Sequence, residues 1–346
     1  MQNLALHNRV YTQKNALFNA DMLRALIFVG IAFFASFIPW PEIYYQYFGG
    51  ILIDREVYTF KVIYNDHWLT YNELRSWIEI FTQEIIWDFS QWSISNGYLG
   101  LYHEDFFQIV TTICLISMAL VIARTKNYLS ILLLFNPLVL DLVYSQLRSA
   151  LALAVLNIVY LSFRKVNIWM IFGAVVACAI HTASSILVAG FILASLLSFK
   201  ESFLFRLSPV TKTALMLGAG VSVGLLIGPL REVVLSAIGD RRAEYSDLSS
   251  SLLYLSFWVA LLGFMLVNFR MTVKSVEGCF SIFMLSILAT NVFSSAYSIR
   301  LIALSLPLIF VAVFHFNVER RIFILSIFSL YAVAQWYFSL TNLTGF

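Results

Sequence analysis

The chain has 346 residues, of which 60% are apolar and only 12% are charged. A soluble globular domain carries about 25% charged residues, so 22 Lys and Arg with 19 Asp and Glu are too few to cover a chain of this length. The mean hydropathy of +0.83 supports the same conclusion. This composition excludes a soluble enzyme, a disordered chain and a typical nucleic-acid-binding protein, and it predicts an all-α, polytopic integral membrane protein.

Apolar segments long enough to cross a bilayer recur along the chain. A bilayer core needs about 20 apolar residues per helix, with a range of about 17 to 25. About eleven segments approach this length, and no small-residue cleavage site follows the first, so we interpret that segment as a retained span. The predicted spans are residues 22–40, 106–123, 128–145, 147–163, 166–181, 183–199, 211–229, 250–268, 279–296, 299–315 and 321–340.

Basic residues determine the predicted orientation, because Lys and Arg accumulate in cytoplasmic loops. Most of them lie in the N-terminal region and in connections that an eleven-span topology places on the same side. The predicted regions are a cytoplasmic N-terminus at 1–21, a first span at 22–40, a periplasmic and partly helical region at 41–105, a transmembrane core at 106–340 with a periplasmic loop at 230–249, and a C-terminus at 341–346.

Residues 78–97 combine charges with aromatic side chains. Glu79, Glu84 and Asp88 lie among Trp, Phe and Ile residues in this segment. Each charge at the bilayer centre costs about 2.5 to 3.5 kcal/mol on insertion scales, and a span here would also reverse the side of the basic connection after the next span. We therefore predict an amphipathic interfacial helix in the external region. A re-entrant helix is the alternative.

Several polar residues lie at the predicted periplasmic ends of spans. Taken singly, each has a plain structural interpretation, such as a snorkelling arginine, a structural histidine or a solvated charged loop. Together they come from several connections but share one face. They are Tyr144, Gln146 and Arg148 before and in one span, His181 between two spans, Arg241, Arg242 and Tyr245 in the loop 228–251, and Arg300 at the start of a later span.

Arginines and a histidine at one membrane face suit a lipid-linked diphosphate. Arginine binds phosphate bidentately and stays charged when partly buried, so it can neutralise a departing diphosphate. A histidine, with an ordinary pKa of about 6.5, can remove a proton from an attacking hydroxyl near neutral pH. No metal-binding, P-loop or dinucleotide-binding motif occurs in a suitable context, so the sequence predicts neither a metal nor a cofactor.

Residues 144–185 carry a pattern that is known from one family. A glutamine-and-arginine run enters an Ala/Leu-rich helix at 144–152, a basic turn follows at 164–165, and a histidine followed by small residues stands at 180–184. This pattern resembles the EpsG-like branch of the Wzy-type bacterial O-antigen and polysaccharide repeat-unit polymerases. The chain departs from the family at Ser149, where a second glutamine is common.

The resemblance continues outside this stretch. Residues 54–60 are similar to the acidic-aromatic segment that follows the first span in the family, and residues 84–87 resemble its acidic element before the second core span. Arg300 is compatible with its late arginine. The resemblance implies a metal-independent glycosyltransferase of the multi-span, GT-C-like type, located in the bacterial inner membrane with an active site that faces the periplasm.

In such an enzyme, oligosaccharide repeat units carried on undecaprenyl diphosphate are both donor and acceptor. The product is O-antigen or a related surface polysaccharide, as in lipopolysaccharide biosynthesis. Membrane lipid and a chain-length regulator protein are the further expected partners, and no nucleic acid is expected.

The resemblance and the residue chemistry agree on the site residues. Arg148 is expected to hold the donor diphosphate, and His181 is the candidate base or else a second diphosphate ligand. A carboxylate on the same side in place of His181 is the alternative base. The catalytic candidates are His181, Arg148 and Arg300, and the substrate-binding candidates are Tyr144, Gln146, Arg241, Arg242, Tyr245, Glu84 and Asp54.

Two other functions fit the same residues. An O-antigen ligase performs the same chemistry at the diphosphate and transfers the glycan to a lipid A core. A flippase or transporter for the lipid-linked glycan would be non-enzymatic, but it needs charge along a path through the bilayer. The middle parts of the predicted spans are nearly free of charge, which favours an enzyme or an outward-facing binding protein.

Overall fold

The computed structural model describes residues 20–48, 52–64, 84–163, 166–200, 202–231, 233, 252–293 and 298–340. All regular structure in these ranges is helical, which confirms the prediction of an all-α chain. The α-helices are α1 Ala20–Ser36, α2 Trp40–Phe48, α3 Ile53–Tyr64, α4 Ile85–Ser95, α5 His103–Ala123, α6 Pro137–Tyr144, α7 Leu147–Ser162, α8 Ile168–Ile180, α9 Ser184–Ser198, α10 Pro209–Ile227, α11 Leu252–Val267, α12 Phe269–Thr272, α13 Val276–Thr290, α14 Ser298–Phe314 and α15 Val318–Leu340.

Among the described residues, two single helices are long and apolar enough to cross a membrane. They are α5 and α10, and the bent pairs α1–α2 and α6–α7 qualify if each pair is counted as one span. The helices in these pairs meet at 55° and 105°, respectively. Several other apolar helices have only 10 to 17 residues. These helices indicate a membrane-embedded helical protein, whereas the count of about eleven spans and the glycosyltransferase architecture stay predictions.

The predicted span at 128–145 is not one α-helix, because the chain breaks at Asn136. A 3₁₀-helix occupies Tyr128–Phe135, and the Asn136 side chain then accepts a 3.0 Å hydrogen bond from the backbone N–H of Leu138. Pro137 stands at the first position of α6, where its missing N–H and fixed φ are tolerated. The sharp bend between α6 and α7 places Arg148 in the first turn of α7.

Helix α13 forms the centre of the bundle. Nearly all of its side chains are buried, as expected for a helix that is surrounded by other helices. Helices α9, α10, α11 and α14 pack against it. The approach of α10 is close, because a Cβ atom added at Gly220 would lie 2.5 Å from the carbonyl oxygen of Phe283.

One end of the bundle, which we call the Glu277 end, is joined by a polar cluster around the buried Glu277. The Tyr160 hydroxyl, near the end of α7, donates a hydrogen bond to Glu277 at the start of α13. His315, just after α14, lies 3.5 Å from the same carboxylate. The guanidinium of Arg124, at the end of α5, lies 4.5 Å from the centre of the Tyr160 ring. Four helices are therefore tied together here, and α7 and α14 carry Arg148 and Arg300 at their opposite ends.

Candidate functional site

Glu84 is the centre of a polar cluster that we call the Glu84 site. Its carboxylate is buried and accepts a hydrogen bond from Arg148 at one oxygen. The other oxygen lies 2.6 Å from Nδ1 of His181 and accepts a 3.2 Å hydrogen bond from the backbone N–H of Thr182. Glu84 is therefore held by partners that follow it by 64, 97 and 98 residues in the chain.

The local backbone conformation directs each of these side chains toward the site. Glu84 precedes α4 with a left-handed backbone at φ 56°, a conformation that non-glycine residues adopt rarely and that often marks functional sites. His181 ends α8 in an extended conformation, and its carbonyl oxygen accepts the N–H of Ser184 at the start of α9. Arg148 extends from the first turn of α7.

The Glu84 carboxylate is ionised at neutral pH. Burial raises its pKa, but the hydrogen bond and charge of His181 and the charge of Arg148 outweigh burial and lower the pKa to about 2. The contact with Nδ1 also fixes the orientation of the His181 ring. This arrangement orients a histidine for proton transfer in the way that a carboxylate does in hydrolytic triads.

Tyr58 of α3 lies beneath Arg148. The guanidinium lies 5.7 Å from the centre of the Tyr58 ring, and the residue is only 4% exposed. Its hydroxyl has no hydrogen-bond partner among the described residues. Burial raises the pKa of this phenol, while Arg148 and Arg300 act to lower it, so both arginines are close enough to influence the hydroxyl.

Tyr58 was not among the site residues predicted from the sequence. It lies in the acidic-aromatic segment 54–60, four residues after Asp54, so helical spacing places the two side chains on one face of α3. That spacing was the signal that could have identified Tyr58.

Two further predicted residues meet beside this site. Arg300 forms an ion pair with Asp54, with 3.0 Å between the guanidinium nitrogen and the carboxylate oxygen. The side-chain N–H of Gln146 donates a 2.6 Å hydrogen bond to Asp141, while its buried amide oxygen has no partner in the described part of the chain. The structure thus brings Asp54, Arg300 and Gln146 to the same end of the bundle as Glu84.

Tyr144 has a different set of contacts. Its hydroxyl donates to the carbonyl oxygens of Ala35 and Ser36 at 3.0 and 3.2 Å, so the side chain joins α6 to α1. Its own carbonyl oxygen accepts a 3.5 Å hydrogen bond from Arg55. A substrate-binding role for Tyr144 stays a prediction, and these contacts give it a structural role at the edge of the site.

The predicted loop residues Arg241, Arg242 and Tyr245 lie outside the described residues. Within the ranges that the structure describes, no group of three or more His, Cys, Asp or Glu side chains converges on a possible metal position.

We compared the chain with known proteins. No family model, no curated protein and no solved structure matches it. The Glu84 site is consequently interpreted from its own chemistry. It combines an arginine, an oriented histidine and a buried phenol, and these groups can bind an anion and move a proton.

Proposed function

We propose that this protein is a polymerase of the Wzy type, which joins undecaprenyl-diphosphate-linked oligosaccharide repeat units at the periplasmic face of the bacterial inner membrane. One observation carries the proposal: Glu84 links Arg148 and His181 at a single site. An anion-binding group and a proton-transfer group are thereby adjacent, as a transfer from a diphosphate carrier to a sugar hydroxyl requires.

The proposed mechanism assigns one task to each side chain. The acceptor sugar hydroxyl gives its proton to His181 and attacks the anomeric carbon of the donor glycan. The bond between that carbon and the diphosphate oxygen breaks, a glycosidic bond forms, and the diphosphate leaves on its lipid. Arg148 stabilises the negative charge on this leaving group. A guanidinium has five N–H donors, so the bond to Glu84 leaves others for phosphate oxygens.

In this proposal Glu84 is a positioning residue for Arg148 and His181, and a direct substrate-binding role for Glu84 stays a prediction. Its carboxylate is buried and engaged by Arg148, His181 and Thr182. Asp54 and Arg300 form the neighbouring wall and take part in substrate binding. The eleven-span topology and the multi-span glycosyltransferase architecture belong to this same proposal.

The test is elongation of lipid-linked repeat units by the purified protein. We expect Arg148→Ala to abolish long products and to leave single repeats, and Arg148→Lys to retain only a small part of the activity, because lysine keeps the charge but lacks the bidentate geometry. Arg270→Ala is the matched control, since Arg270 lies in α12 near the Glu277 end. An unchanged distribution of chain lengths in Arg148→Ala would remove Arg148 from the mechanism.

A ligase is the second enzymatic candidate, because the same residues can release the same diphosphate. Deletion of the gene separates the two functions. Lipopolysaccharide that carries one repeat unit indicates a polymerase, whereas a bare core indicates a ligase. Elongation by the purified protein would also exclude a role as a flippase or transporter alone.

A further inference from the structure

Asp141 is a carboxylate whose hydrogen-bond partner is a neutral side chain. It lies in α6, within the bent pair α6–α7 that is long and apolar enough to count as one span. The side-chain N–H of Gln146 donates a 2.6 Å hydrogen bond to one of its oxygens, while Arg300 forms an ion pair with Asp54. An ionisable residue within a membrane segment is costly, so by default it indicates a functional site.

The hydrogen bond between Asp141 and Gln146 spans the bend between α6 and α7. Asp141 lies before the 105° bend and Gln146 lies directly before α7, so one role of this bond is to hold the bend. That role uses one carboxylate oxygen. Asp141 accepts no other side-chain hydrogen bond from the described residues, and it is partly exposed. Its second oxygen is therefore available to a ligand. The buried amide oxygen of Gln146 also lacks a partner in the described part of the chain.

Charged side chains connect Asp141 to the Glu84 site. The charges of Arg300 and Asp54 act on Asp141, and the charge of Asp54 also acts on Arg148. Asp54 is thus near both Asp141 and Arg148. The side chains of Arg300 and Asp54 are 40% and 20% exposed, so a ligand can reach the surface that leads from Arg148 to Asp141.

The two ends of this surface have different chemistry. Arg148 can bind a phosphate. At the other end, Asp141 and Asp54 carry two negative charges against the one positive charge of Arg300, so this end would repel a phosphate. Carboxylate oxygens accept hydrogen bonds from hydroxyl groups, and a charged acceptor makes such bonds roughly twice as strong as neutral ones. Tyr44 of α2 is close enough to interact with Asp141 electrostatically, and its ring has an apolar body and a polar tip. These groups fit an uncharged ligand with several hydroxyls.

We propose that Asp141, oriented by Gln146, binds hydroxyl groups of the glycan whose diphosphate is held at Arg148. The inference rests on the proposed function, and it adds the residue that recognises the sugar itself. A site built to hydrogen-bond a hydroxyl rejects a ligand that lacks it, because the polar group of the site is then left unpaired. Asp141 therefore contributes to the choice of repeat unit.

Two partial ligands separate this site from the Glu84 site. The first is the repeat unit released from its lipid carrier by mild acid and reduced at its reducing end, which carries no diphosphate. It is prepared from cells that lack this gene. The second is inorganic pyrophosphate, which has no sugar. Calorimetric titration of the full-length protein in lipid nanodiscs measures the affinity for each.

Asp141→Asn is the informative variant. Its side-chain oxygen can still accept the hydrogen bond from Gln146, so the bend is kept, but the charge and one acceptor are lost. We expect glycan binding to weaken about tenfold, with pyrophosphate binding and thermal unfolding unchanged. In elongation, the KM for repeat units should rise by a similar factor and kcat should change little. Asp21→Asn, at the exposed start of α1, is the matched control and should leave both affinities unchanged.

A second variant covers a failure of Asp141→Asn to fold. Asp141→Glu keeps the charge and an acceptor for Gln146 but moves the carboxylate by one methylene. It should weaken glycan binding severalfold and leave pyrophosphate binding unchanged.

The outcomes distinguish this inference from the proposed function. Elongation with unchanged glycan affinity in Asp141→Asn would make Asp141 a structural residue of the bend, which overturns the inference and leaves the polymerase intact. An equal loss of pyrophosphate binding in this variant would also overturn the inference. Weaker glycan binding by Asp141→Asn, in a protein that does not elongate repeat units, would support the inference and overturn the polymerase.

Discussion

At the scale of single residues, the Glu84 site depends on complete pairing of buried charges. Burying a carboxylate and a guanidinium costs several kcal/mol per ion unless their mutual attraction and further hydrogen bonds offset it. Glu84 meets this condition because Arg148, His181 and the Thr182 N–H together engage both of its oxygens. Removal of any one partner leaves a buried charge with too few hydrogen bonds, so these side chains act as a unit.

The low pKa of Glu84 predicts a specific loss of stability in acid. The pKa is about 2 in the folded protein, against a usual value of 4.5, so the unfolded chain binds the proton more tightly. The stabilisation is fully present above pH 4.5 and is lost as the pH falls through the folded pKa of about 2. Its full size is about 3 kcal/mol. Thermal unfolding of the detergent-purified protein at a series of pH values measures it.

Glu84→Gln should lose this pH dependence between pH 4.5 and 2, because the amide does not titrate in this range. Glu319→Gln, at the exposed start of α15, is the control and should retain it. If stability fell by the same amount in acid in both variants, the assignment of a low pKa to Glu84 would be contradicted.

Two tyrosine hydroxyls in different environments predict opposite effects of one substitution. Tyr58→Phe removes a buried hydroxyl that lacks a partner among the described residues, so we expect unchanged or higher thermal stability and a severalfold rise in the KM of the diphosphate-linked donor. Tyr160→Phe removes a donor to Glu277 and should lower stability by about 1 to 3 kcal/mol. Thermal unfolding and donor titration test both variants. Equal destabilisation by the two would show that the Tyr58 hydroxyl has a structural partner.

At the scale of secondary-structure elements, the packing of α10 on α13 depends on glycine. Cβ atoms at Gly220 and Gly224 would lie 2.5 Å from the Phe283 carbonyl oxygen and 2.8 Å from Cβ of Thr290. Small residues at such positions let helices approach closely in a membrane, where packing contacts replace the hydrophobic driving force.

Gly220→Ala and Gly218→Ala test this close approach on a single helix. A Cβ atom at Gly218 would meet nothing within 4 Å, so Gly218→Ala should be neutral or stabilising by up to about 1 kcal/mol through helix propensity. Gly220→Ala forces α10 away from α13 and should destabilise by about 1 to 3 kcal/mol. Thermal unfolding of both variants is the measurement. Equal stabilities would mean that α10 can move away from α13 without a loss of stability.

At the scale of the whole molecule, two clusters that contain charged side chains lie at opposite ends of the described helices. Glu84, Arg148 and His181 meet at one end, and Tyr160, Glu277 and His315 meet at the other. Helix α5 connects the two ends with 21 residues, or about 30 Å, which matches the thickness of a bilayer core.

This arrangement predicts that the two ends lie on opposite sides of the membrane. Leu99, just before α5, and Val318, just after His315, are both exposed and can each be replaced by cysteine in a Cys178→Ser background. An impermeant maleimide should label Leu99→Cys in intact spheroplasts and Val318→Cys only after permeabilisation. Labelling of both from one side would contradict a shared transmembrane axis.

Local sequence features determined the composition class, the helical elements and several members of the site. Apolar content predicts membrane helices without reference to tertiary contacts. Arg148, His181 and Arg300 could be selected from their chemistry and position, and Asp54 from the family resemblance. Within residues 78–97, where a helix was expected, the structure has α4 at Ile85–Ser95, and the interfacial location of this helix stays a prediction. The break at Asn136 was not predicted, because hydropathy is averaged over a window of residues and one capped turn does not change that average.

Only the tertiary structure decided which of these residues touch. Glu84 joins Arg148 and His181 across 64 and 97 residues, and Tyr58 lies beneath Arg148 because α3 packs beside α4. Hydropathy describes whether a side chain prefers lipid or water, and this preference depends on the residue itself rather than on its tertiary contacts. The choice of partner depends instead on how helices cross and bend, as in the 105° bend before Arg148, and such geometry arises only when the helices pack together.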